Sequence, residues 1–184
     1  MKKMEYKGKH GTLTLDMVSL LGHDHKVYCE ALNLGGALTA DNVRTLLKWK
    51  SPRWLSPDSD NVKEVLARLD EINSFRAGRN TELKSFFGGS GVYDVFIKHI
   101  AQPADYPIYD RHVLNAYWRL EKGLADGESK DTEPELYEEY RAFFFRAYDA
   151  MFGAGKRKND LETVNNMKML DYVLMEYDRA HGKE

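Results

Sequence analysis

The chain has 184 residues, with 27 Lys and Arg against 29 Asp and Glu, a formal net charge of −2. Hydrophobic content of 42% and charged content of 30% fit one soluble globular domain and exclude a chain disordered throughout. No apolar run reaches the ~20 residues of a membrane helix. The single cysteine, Cys29, excludes an internal disulfide and a cysteine zinc cluster, so the cytoplasm is the expected compartment and no membrane partner is expected.

Charge is graded along the chain. Residues 1–50 are net positive, with eight basic against five acidic side chains, and residues 101–150 are net negative, with six against eleven. A basic footprint for nucleic acid must therefore come from the first hundred residues. The first 38 residues are the least regular. Thr12-Leu13-Thr14-Leu15 alternates like a short strand or extended coil, and no convincing strand pair appears. Thr39 to Lys50 reads as a helix with Val43, Leu46 and Leu47 inward, capped by Thr39 or Asp41 and stopped at Ser51-Pro52. Asp60 to Phe75 is the clearest helix of the first half, with Val62, Val65, Leu66, Leu69 and Ile72 on one face.

Asn80 to Phe87 reads as a short helix, Gly88 to Gly91 as a tight turn, and Val92 to Ala101 as a second short helix. Tyr106-Pro107-Ile108-Tyr109-Asp110 follows. Pro107 keeps Tyr106 out of helical space, and Asp110 caps a helix through Val113, Tyr117 and Leu120 to about Leu124. Thr132 or Glu133 to Phe152 is a long helix with Pro134 in its first turn. Asn159 or Asp160 to Ala180 is the last helix, with Val164, Met167, Leu170, Leu174 and Tyr177 inward. The expectation is an all-α, multi-helix domain spanning residues 1–184, with seven or eight helices.

The glycine turn carries the most chemical information. Glycine lets a nucleic-acid backbone approach closely, and the exposed N–H groups of a helix start attract phosphate. A plain link between two helices is the structural alternative. The spacing that follows resembles the helix-hairpin-helix DNA glycosylase superfamily, whose members join a glycine hairpin and a short helix to a helix opening like V-D-T-H-V. Asp110, His112 and Val113 match that opening, and Gly89 and Gly91 match the hairpin glycines. The resemblance covers residues 80–182. A group of small bacterial proteins with a similar Y-P-I-Y-D segment resembles the chain more closely still. The resemblance implies a helix-hairpin-helix element and duplex DNA as partner. It also implies a catalytic carboxylate at Asp110 and backbone binding around Lys84, Gly89, Ser90, Gly91, Lys98, Arg111 and His112. The chain departs from the family in several respects, the first being Phe87-Gly88 in place of the hairpin's usual leading leucine–proline. The position of the catalytic lysine of bifunctional members falls at Val92 or Tyr93, so a Schiff-base lyase is unsupported. Iron–sulfur cysteines are absent, and no cofactor or metal is implied.

Asp110 also reads as an ordinary helix cap. His23-x-His25 lacks a third ligand nearby in sequence and reads as incidental. Trp49, Lys50, Arg53 and Trp54 suit either base stacking or a core tryptophan with snorkelling cations. Phe143-Phe144-Phe145 cannot all face one core, and Cys29 reads as a small core residue. Two functions stand at this level: a monofunctional N-glycosylase using Asp110, and a non-catalytic helical binding module. A small-metabolite enzyme is the third and weakest.

Overall fold

The computed structural model describes residues 3–16, 23–53, 55–56, 59–88, 91–155 and 157–182. The chain opens with an antiparallel hairpin, β1 (Lys3–Lys7) and β2 (Thr12–Asp16), in which Tyr6 faces Leu13 and Met4 faces Leu15. Tyr6, Leu13 and Leu15 are buried while Glu5, Lys7 and Thr12 are exposed, the two-residue alternation of a strand with one wet face. This corrects the expectation that strands do not pair. Four residues of alternation are too few to separate a strand from coil; packing on the helices supplies the rest.

Eight α-helices follow among the described residues: α1 (His23–Leu32), α2 (Ala40–Lys50), α3 (Asp60–Ala67), α4 (Leu69–Arg76), α5 (Gly91–Ala101), α6 (Arg111–Lys122), α7 (Tyr137–Phe152) and α8 (Leu161–His181). The expected all-α class holds but for the hairpin, leaving a mostly-α fold. No described helix is long and apolar enough to cross a membrane. Thr39 and Asn42 form a reciprocal capping box at α2, Ser59 caps α3, and Asp160 caps α8. Gly123 ends α6 in the left-handed region at φ 74°.

Three boundaries differ from the sequence reading, each for a tertiary reason. The expected helix over 60–75 breaks at Arg68, whose guanidinium leaves the helix to donate to the carbonyls of Ser85 (2.9 Å) and Lys84 (3.3 Å) and to stack on Phe86. The expected helix over 80–87 does not form. Arg68 takes its carbonyls, and the Asp94 carboxylate accepts from the N–H groups of Phe86 (2.8 Å) and Phe87 (3.3 Å). The start of the long helix is a 3-10 turn, Pro134–Leu136, before α7.

The helices enclose two apolar clusters. One gathers residues of α1 to α5 with Val164 of α8; the other gathers the hairpin with α6, α7 and the middle of α8. Phe143 and Phe144 fill the second cluster, and Phe145 lies at its edge beneath the Arg157 guanidinium at 4.0 Å. Tyr106 touches both clusters, and the segment after it runs along the seam between them.

Candidate functional site in the seam

Asp110 stands on a segment fixed by tyrosines. Tyr109 is buried and donates its hydroxyl to the Glu133 carbonyl at 2.9 Å. Tyr140 donates to the Ile108 carbonyl (2.9 Å) and Tyr137 to the Pro107 carbonyl (3.4 Å), while the rings of Tyr137 and Tyr140 pack on Tyr109. The apolar character of residues 106–109 thus serves inward packing. With its backbone extended at φ −155°, Asp110 caps α6: Oδ1 accepts from the N–H groups of His112 (3.0 Å) and Val113 (3.2 Å). Oδ2 accepts from Lys50 Nζ, the last residue of α2, at 3.5 Å. The Asp110 side chain keeps 26% of its surface open, and that of Lys50 only 10%.

Behind this pair lies a second one. Lys168 of α8 donates to Oδ2 of Asp171, one turn further along the same helix. Trp49, Tyr28, Phe96 and His99 surround the two lysines: Lys168 Nζ lies 4.9 Å from the Trp49 ring centre and 5.7 Å from that of Tyr28, and Lys50 Nζ lies 5.8 Å from that of Phe96. Trp49 is therefore packed among aromatics, and Lys50 reaches from beside it to a carboxylate. Trp54 lies outside the described residues. The Nδ1–H of His99 donates to the Tyr106 carbonyl at 2.6 Å, which leaves Nε2 to accept from the Tyr28 hydroxyl.

The two carboxyls titrate in opposite directions. Burial raises Asp110, but the Lys50 charge, the Val113 N–H and His112 more than offset it, and the group ends below the ordinary carboxylate range. Asp171 is raised, first by burial and then by the charge of Asp110, against the pull of Lys168. Burial, aided by the two lysine charges, lowers His99 to about 3, so the ring is neutral at pH 7. A small cavity of about 10 Å³ lies among Asp171, Lys168, Tyr28, His99, Pro107 and Ile108, and only apolar atoms face it.

Of the glycine turn, Gly89 and Ser90 are outside the described residues. Gly91 opens α5 against Pro134, where an added Cβ would stand 2.9 Å from the proline Cα. Pro134 follows the Glu133 that holds Tyr109, and Tyr93 of the first α5 turn donates to Ser51, the neighbour of Lys50, at 3.3 Å. The start of α5 and Asp110 thus share the same supports. The first α5 turn itself carries Asp94, which binds residues 85–87.

The expected cations are dispersed. Lys84 is exposed, with its carbonyl bound by Arg68. Lys98 is half-buried over the Tyr106 ring, seven residues and roughly 10 Å along α5 from Gly91. Arg111 is exposed beside a polar pocket of about 130 Å³. His112 faces that pocket and donates Nδ1–H to Asp178 at 2.9 Å; Asp178 also accepts from the buried Arg119 at 3.1 Å. The sequence reading missed Asp171, Asp178 and Lys168. Its available signal was the inward stripe of α8, where Met167, Asp171, Leu174 and Asp178 fall at helical spacing and put two carboxylates among apolar side chains.

His25, Cys29 and Asn165 line a separate open groove of about 420 Å³. His25 Nε2 lies 2.8 Å from Asn165 Oδ1 and 3.3 Å from Cys29 Sγ, and burial raises the thiol. Cys29 is thus half-buried, packed against the first apolar cluster at the groove wall. Among the described residues no three His, Cys, Asp or Glu side chains converge as metal ligands. No family model, curated protein or solved structure matches the chain.

Proposed function

We propose that the chain is a duplex-DNA-binding protein of the helix-hairpin-helix glycosylase kind, acting as a monofunctional N-glycosylase through Asp110. The observation that supports this reading is the state of that carboxyl group: held below the ordinary carboxylate range, rigidly mounted on a helix start, and a quarter open to solvent, its side chain 26% exposed. A fixed negative charge is what a sugar cation at C1′ requires as the bond to the base breaks. Arg111, exposed one residue on, supplies a phosphate contact.

A second reading has its own support. The cap and the Lys50 pair satisfy Asp110 fully without a substrate, as a non-catalytic binding module would have it. Purified protein incubated with duplexes carrying uracil, hypoxanthine or an alkylated purine is expected to leave abasic sites. Asp110→Asn should abolish this with the fold intact, because asparagine caps helices as well as aspartate does. Arg111→Gln should weaken duplex binding and reduce its salt dependence by about one counterion. Salt-sensitive binding without excision would overturn the enzyme and favour the module; loss of both would overturn both readings.

A further inference from the structure

The polar pocket of about 130 Å³ beside α6 has walls made of buried polar groups. Asn115 and Arg119 of α6 are only 2% and 4% exposed, and both are spent on the loop that follows the helix. Asn115 donates to the Ser129 hydroxyl (3.1 Å) and accepts from the Lys130 N–H (2.8 Å), while Arg119 donates to the carbonyls of Ala125 and Glu128. Asp178, also buried, accepts from Arg119 with one oxygen and from His112 with the other. The walls are thus fixed before any ligand arrives.

Three groups of the pocket keep capacity to bind. His112 spends Nδ1–H on Asp178, so the neutral ring carries its lone pair at Nε2. That nitrogen meets no partner among the described residues and is not sealed from solvent, the side chain being 34% exposed. Ser129 accepts from Asn115 and keeps its own proton to donate. Arg111 is exposed at the wall. Of the other charged residues lining the pocket, Arg119 and Asp178 neutralise each other and Glu128 is exposed. A cation, a hydroxyl donor and an aromatic-nitrogen acceptor together match a small anion that brings one proton of its own.

We propose that this pocket binds a phosphate group carrying one proton, free or as a monoester. Phosphate oxygens accept from the Arg111 guanidinium and the Ser129 hydroxyl, and the P–OH proton is shared with His112 Nε2. Sulfate has the same shape but brings no proton near neutral pH, so the acceptor nitrogen discriminates against it. Asp178 is a positioning residue that holds the imidazole in this tautomer. Asp110 does not line the pocket, and the inference stands apart from the glycosylase reading.

The test is calorimetric titration of the full chain at pH 7 with inorganic phosphate, methyl phosphate and sulfate, read together with nitrogen NMR of the histidine rings. Phosphate is expected to bind and to move the His112 Nε2 resonance while the buried His99 ring stays unmoved, with sulfate weaker by about tenfold or more. Methyl phosphate binding as well as inorganic phosphate supports a monoester ligand; binding of inorganic phosphate alone supports the free ion. His112→Leu and Arg111→Gln should each weaken phosphate by about tenfold or more. Should His112→Leu fail to fold, Arg111→Gln and Ser129→Ala, both at exposed positions, carry the comparison. An unmoved Nε2 resonance, equal affinity for sulfate and phosphate, or unchanged phosphate binding by Arg111→Gln would each overturn the assignment.

Discussion

Asp110 shows how one side chain serves two ends. One oxygen satisfies two of the backbone N–H groups that every helix start leaves open, and the other meets a lysine. A cap is also a rigid mount, and this one fixes a charge at the seam. His99 gives the residue scale its pH test. With its pKa near 3 in the fold and ~6.5 in the unfolded chain, it stays neutral in the fold where the unfolded chain would protonate it. Its contribution is fully present above about pH 6.5 and is lost as pH falls toward 3, by about 1.4 kcal/mol per unit. Asp171 opposes this in part: its raised pKa favours the folded form on acidification and costs stability as pH rises through its folded value. Urea midpoints between pH 7 and 4 should fall in the wild type, and His99→Gln should flatten that dependence at the cost of a lower midpoint at pH 7.

Elements whose ends are set by local chemistry were legible in the sequence. Thr39, Asp110 and Asp160 each cap the helix read from their positions, and the inner residues of α2 and α8 are buried as spacing implies. Elements set by distant partners were not. Arg68 breaks a good helical run because two carbonyls sixteen and seventeen residues away accept its protons. Residues 80–87 lose their helix to Arg68 and Asp94. The candidate site divides the same way. Asp110 and its helix were readable from a short motif, whereas the Lys168–Asp171 pair, formed within α8, comes beside Lys50 and Trp49 only through the tertiary fold. At the start of α5, Gly91→Ala is expected to destabilise the protein. Alanine favours the helix by about 1 kcal/mol, but a Cβ pressed to 2.9 Å from Pro134 is overpacking that costs typically ~1–3 kcal/mol. The net loss should be about 1 kcal/mol in urea denaturation, and a midpoint equal to or above wild type would contradict the tight contact.

At the scale of the whole molecule, α8 joins the two apolar clusters. It runs 21 residues, about 31 Å, placing Val164 in one cluster and Met167, Leu170 and Leu174 in the other. Neither cluster keeps its packing if this helix leaves. Thermal unfolding should therefore be one transition, with tryptophan fluorescence from Trp49 and Trp118 coinciding with the loss of helical circular dichroism. Separate midpoints would mean that the clusters melt independently. The same helix governs when the seam comes into being. The hairpin, the lysine of α2 and the carboxylate of residue 110 all leave the ribosome before residue 168 does. A nascent chain folding from its amino end therefore carries Lys50 and Asp110 for some sixty residues of synthesis without the ion pair that completes the seam. Translation that stalls in this interval would yield a partly folded product with an unfinished centre.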